Sequence, residues 1–91
     1  MLRRIKSVKC LGVLIVTCVR GSAGFAEILR ITGLSKSTLW DCLKKLEELG
    51  MVKSKRVLTL VGPRLLINCT EPGREAIDEL KRALETGSLK L

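Results

Sequence analysis

The chain contains no histidine and no Cys-x-x-Cys pair. Zinc and related metals are held by those residues at short, regular spacings, so no metal site is expected. The absence of histidine also removes the commonest general acid–base. There is no glycine-rich phosphate loop, and no nucleophile stands with a recognisable base. Together these gaps argue against an enzyme, and no cofactor is expected. Repeats and low-complexity segments are absent as well. The apolar run Cys10–Val19, CLGVLIVTCV, is broken only by Thr17. It is too short to span a bilayer, which takes ~20 residues, so no membrane partner is expected. Basic residues precede it, as in an export signal, but Arg20 follows at once and no small-x-small cleavage site is present.

Acidic residues are missing from two whole segments. Residues 1–20 and 51–70 carry five and four Lys/Arg respectively, and neither has an Asp or Glu. Residues 21–50 balance, and the rest of the chain is close to neutral. The net charge of +8 is therefore concentrated, as on a surface that meets a polyanion. The bland alternative is an ordinary solvated basic surface. Hydrophobic content of 46% argues against disorder, and 91 residues suffice for one domain around one core.

The chain is organised around Leu34–Ser54, LSKSTLWDCLKKLEELGMVKS. Leu39, Cys42, Leu43, Leu46 and Leu49 recur at steps of three and four, which predicts a helix with one apolar stripe. Ser35 is placed to cap its start and Gly50 to end it. The other face carries Ser37, Trp40, Asp41 and Lys44, with Lys36 at its edge. Upstream, FAEILRIT at 25–32 reads as a short helix leading into a glycine turn. Two helices joined in this way form a helix-turn-helix, packed through Ile28, Leu34, Leu39 and Cys42.

The remaining elements follow from local signals. A first helix is expected at about 2–20, with Leu2, Ile5, Val8, Leu11 or Gly12, Ile15 and Val19 on one side. Its second half is apolar all round and must be covered on both sides. GSAG at 21–24 reads as a short linking strand. Met51–Thr59 and Leu65–Cys69 read as a hairpin around LVGPR, with Gly62–Pro63 in the turn. Thr70 caps a last helix at about 71–86, with Ala76, Ile77, Leu80 and Leu84 as its stripe. Cys10, Cys18, Cys42 and Cys69 lie in apolar company and read as reduced core thiols of a cytoplasmic protein. Redox sensing by Cys10 or Cys18 is the alternative.

GLSKSTLWDCLKKLEELGMV resembles the helix-turn-helix of winged-helix regulators of the MarR, ArsR and PadR kind. CTEPGREAIDEL at 69–80 is similar to the segment that opens their C-terminal helix, and with FAEILRIT at 25–32 the matching stretches extend over residues 25–80. The resemblance implies an α+β, mostly helical fold: a winged helix-turn-helix with a two-stranded wing and a C-terminal dimerisation helix. It departs from the family at the apolar VLTLVG around the wing tip and at Asp41, where relatives often place a basic residue. A carboxylate there disfavours phosphate but can accept from a cytosine amino group.

The implied function is sequence-specific binding of double-stranded DNA by a homodimeric transcription regulator. Lys36 and Lys44 would take phosphates or guanine edges, and Ser35 and Ser37 phosphates. Trp40 would meet a sugar or thymine methyl, or else pack on the second helix or the wing. Lys53, Lys55, Arg56 and Arg64 of the wing would take phosphates or the minor groove. The dimer would form through the first and last helices, at Leu11, Leu14, Ile15, Ile77, Leu80 and Leu84. The alternative is a winged-helix protein-interaction module within a larger nucleic-acid-associated complex, favoured by the apolar tip and by Asp41.

Overall fold

In the computed structural model the described residues are 8–87. They form, in order, α1 (Val8–Arg20), β1 (Ser22–Gly24), α2 (Phe25–Thr32), α3 (Lys36–Glu48), β2 (Val52–Thr59), β3 (Gly62–Cys69) and α4 (Glu71–Thr86). This is the α+β, mostly helical winged helix-turn-helix expected from the sequence. The part of the first helix expected before Val8, with Leu2 and Ile5, lies outside the described residues.

The caps predicted from sequence are in place. The Ser35 hydroxyl accepts from the Thr38 N–H at 3.2 Å and opens α3. The Thr70 hydroxyl accepts from the Gly73 N–H at 3.2 Å and opens α4. Leu39, Cys42, Leu43 and Leu46 of α3 are buried, as are Ile28 of α2 and Ala76 and Leu80 of α4. Leu34 packs against the same core. The GSAG stretch forms β1 and pairs with β3 at Ser22↔Asn68 and Gly24↔Leu66. The sheet is antiparallel in the order β1-β3-β2, so a third strand anchors the two-stranded wing to the body.

Three expectations are corrected. The first concerns the hairpin turn, which is shorter than LVGPR. Thr59 pairs with Gly62 and Leu58 with Pro63, so only Leu60 and Val61 bridge the strands. Proline is tolerated here because it stands at the outer end of its strand.

The second concerns α1. Its buried face is Cys10, Val13, Leu14, Thr17 and Cys18, while Val8 and Val19 are exposed and Leu11 and Ile15 only partly covered. A segment apolar on all sides carries no periodic signal to identify its inner face. Thr17 is buried without penalty because its hydroxyl donates to the Val13 carbonyl at 2.8 Å.

The third concerns the cysteines. They are not free thiols: Cys10 is bonded to Cys42 and Cys18 to Cys69. Their apolar surroundings were legible, but pairings across 32 and 51 residues leave no trace in local spacing. Both bridges start on α1. One holds it to α3 and the other to the end of β3, so this helix is stapled to both parts of the candidate interface.

Candidate nucleic-acid interface

The core stripe of α3 fixes its orientation, and the opposite face projects outward. Ser35, Lys36, Ser37, Trp40 and Lys44 are all exposed, as are Asp41 and Lys45. Positions 36, 37, 40 and 44 fall one turn apart and form a continuous outer stripe. Ser35 itself is committed to the cap, since its hydroxyl also donates to Thr38 Oγ1 at 2.8 Å. Ser37, with its oxygen 3.4 Å from that of Ser35, is the more available hydroxyl at this end. The positive end of the helix dipole adds to Lys36 there.

Trp40 takes up the packing on the second helix that was one of the two roles considered for it. Its ring packs on Phe25 of α2, with centroids 4.8 Å apart and planes tilted by 34°. Half of the residue nevertheless remains exposed. Phe25 was not among the candidate residues, although the chain has only one Phe and one Trp. The two stand on different helices, and no local pattern marks them as neighbours.

On the wing, Lys53, Lys55, Arg56 and Arg64 are exposed, and none of them forms an ion pair among the described residues. The pairing register divides them. Lys53 and Lys55 alternate in step on β2, and Arg64 faces Val57 on the same side of the hairpin. Arg56, opposite Leu65, belongs to the other side. An open cleft of about 780 Å³ separates the wing from α2 and α3, lined in part by Phe25, Glu27, Trp40, Arg56 and Arg64. Trp40 of α3 and Arg56 and Arg64 of the wing thus line one space. Glu27 is partly neutralised by Arg20 at 3.0 Å. The wing is steadied against α3 by a hydrogen bond from the Ser54 hydroxyl to the Glu47 carboxylate. That pair was also missed in the sequence, because it joins two different elements.

The interface candidates separate by burial. Leu14 is fully covered within its own chain, and Leu80 nearly so. Both are core residues of the protomer, a correction to their assignment at a dimer contact. Ile77 packs against the core while keeping partial exposure, and Leu11 and Ile15 are also partly exposed. Leu84 is 63% exposed. Among the described residues no group of three or more His, Cys, Asp or Glu side chains is placed to hold a metal ion. No helix among them is long and apolar enough to cross a membrane.

A capped helix held outward by its apolar stripe, preceded by a short helix and flanked by a basic hairpin, defines a winged helix-turn-helix of the DNA-binding type. The chain belongs to the winged helix DNA-binding domain family, which it matches over residues 9–87. It is similar to a transcriptional regulator homologue from Pyrococcus horikoshii OT3, with 26% identity, a TM-score of 0.72 and coverage of 96% of this chain and 95% of that one. A MarR-family regulator from Enterococcus faecalis V583 shares the fold at a TM-score of 0.82 and 23% identity, covering 94% and 77%. BpsR of Bordetella bronchiseptica, whose DNA binding is regulated by 6-hydroxynicotinic acid, shares it at 0.75 and 15%, covering 88% and 60%. The chain thus spans nearly all of the first relative but under two thirds of the last. No curated protein matches the chain in sequence.

Proposed function

We propose that this chain is a transcription regulator that binds duplex DNA in a sequence-specific manner as a homodimer, with α3 in the major groove. The observation that carries the reading is the state of its cations. Lys36, Lys44, Lys53, Lys55, Arg56 and Arg64 are exposed and make no ion pair among the described residues. They lie on the outer stripe of α3 and on the wing beside it, where phosphates flanking an occupied groove would fall. Lys36, Ser37 and Lys44 are assigned to bases and phosphates, Trp40 to a sugar or thymine methyl, and the wing cations to phosphates. The exposed Leu84, with Ile77, Leu11 and Ile15, supports a two-fold contact through α4 and α1.

The test is selection of bound sequences from a random duplex pool at low salt. Recovery of a consensus supports the reading, and a pool that stays random removes sequence specificity. Absence of any binding at about 50 mM salt would favour the interaction-module alternative instead.

Function on DNA also bears on location. We place the protein in the cytoplasm with its target. Disulfides such as its two persist in that compartment chiefly in hyperthermophiles, whose intracellular proteins are rich in them.

A further inference from the structure

The wing ends in a feature that phosphate binding does not use. Leu58, Leu60 and Val61 are 87%, 108% and 76% exposed, and exposed Pro63 stands opposite Leu58. Four apolar side chains thus form one uncovered tip on a hairpin whose stem carries four cations and no acid. An exposed apolar cluster of this kind marks a contact.

The tip is also preformed. Strand pairing runs to Thr59↔Gly62, the last possible rung. Thr59 Oγ1 donates to the Gly62 carbonyl at 2.7 Å and accepts from the Val61 N–H at 3.3 Å. Gly62 takes the positive φ of 111° that closes the turn, so Leu60 and Val61 adopt no left-handed backbone. Little conformational freedom remains to be lost when the tip is buried. From Ser54, tied to α3, to Thr59 the strand extends roughly 17 Å at the usual rise per residue.

We propose that the wing tip is a minor-groove wedge: Leu60 and Val61 press between base pairs beside the α3 site and bend the duplex. The inference rests on the DNA-binding reading given above. The occupant is chosen by charge complementarity, because a stem this basic favours a polyanion and opposes a second, equally basic copy of itself. The groove supplies the rest. An undeformed minor groove is about 6 Å wide, narrower than two strands spaced ~4.8 Å apart with their side chains. Entry therefore widens the groove and turns the helix axis away from the wing. Apolar wedges of this type kink DNA by ~20–90° towards the major groove. The sequence consequence is a preference for easily unstacked pyrimidine–purine steps, TA or CA/TG, at a position α3 does not touch.

The test uses the full chain and a duplex from the selected pool, labelled at both ends for energy transfer, with 2-aminopurine at the flanking step. The wild type should shorten the end-to-end distance and raise 2-aminopurine fluorescence roughly two-fold or more on unstacking. Leu60→Ser/Val61→Ser changes only exposed positions and should melt at the wild-type temperature. It should keep the salt dependence of binding while losing the bend and the fluorescence rise. Tight binding to straight, stacked DNA by the wild type overturns the wedge and leaves the DNA-binding reading intact. No binding to any duplex overturns both. A bend that survives in the double variant also overturns the wedge. So does a wild-type oligomer that this variant alone dissociates, which would assign the tip to a second copy.

Discussion

At the scale of single residues, exposure separates the side chains proposed to meet DNA from those that hold the fold. Lys44 is exposed and touches no acid among the described residues. Lys44→Ala should weaken binding to all sequences alike and leave the melting temperature unchanged. Lys36→Ala and Ser37→Ala should instead alter the selected consensus. If the triple variant folds and binds with wild-type affinity and selectivity, α3 is not the reading head. Gly73 is the opposite kind of residue. A Cβ at this position would lie 2.1 Å from the Met51 carbonyl oxygen and 3.2 Å from Cys69 Sγ. Neither neighbour can retreat easily, one being backbone and the other part of a disulfide. Gly73→Ala should therefore cost several kcal/mol or abolish folding, although alanine is the better helix former by ~1 kcal/mol. Chemical denaturation would show a gain in stability if the close approach does not exist.

Single elements show what was legible in the sequence and what was not. α2 and α3 were readable to within a residue or two, because Ser35, Gly33 and Gly50 punctuate an alternation of apolar and polar residues. The outer stripe of α3 followed from the same periodicity. α1 was readable as a helix but not in its orientation, since apolar residues surround it. The disulfides, the Phe25–Trp40 contact and the Ser54–Glu47 bond all join distant segments, and nothing local announces such meetings. These bridges lead to a prediction at the same scale. Closing loops of 32 and 51 residues removes chain entropy worth roughly 3–4 kcal/mol each. At about 4–8 °C per kcal/mol for a domain of this size, breaking either bridge should lower Tm by roughly 15–30 °C. Melts with and without reductant, and of Cys18→Ser/Cys69→Ser, would measure it. An unchanged Tm would mean that the thiols are not bonded in solution. The wing offers a companion test, since Arg64→Glu should reduce DNA affinity while leaving Tm nearly unaltered.

For the molecule as a whole, the net charge and the proposed two-fold symmetry each make a measurable demand. If roughly four to six phosphates are neutralised, log K should fall against log salt with a slope near −4 to −5. A flat response would remove the electrostatic basis of the proposed function. The proposed homodimer predicts twice the 10.0 kDa chain mass in sedimentation equilibrium at tens of micromolar. Leu84→Asp should yield folded monomers, because that side chain is largely open in the protomer. Leu14→Asp should unfold the chain, because its side chain is core. A wild-type monomer at those concentrations would refute the dimer, and with it the expectation of an imperfect palindrome with half-sites about one helical turn apart.

The close approach at Gly73 also fixes an angle. Thr70 donates its N–H to the Met51 carbonyl at 3.1 Å, and its hydroxyl donates to the Gly50 carbonyl. The root of α4 is therefore clamped to the turn that ends α3, with no side chain between helix and backbone to act as a cushion. α4 has 16 residues and behaves as a lever of roughly 24 Å. A tilt of ~10° at its root would move its far end by about 4 Å, close to the rise of one base pair. In a dimer joined through α4, the clamp would set the distance between the two reading heads as a ruler does. Inserting a single base pair between half-sites should then cost most of the affinity, whereas a hinged root would tolerate it.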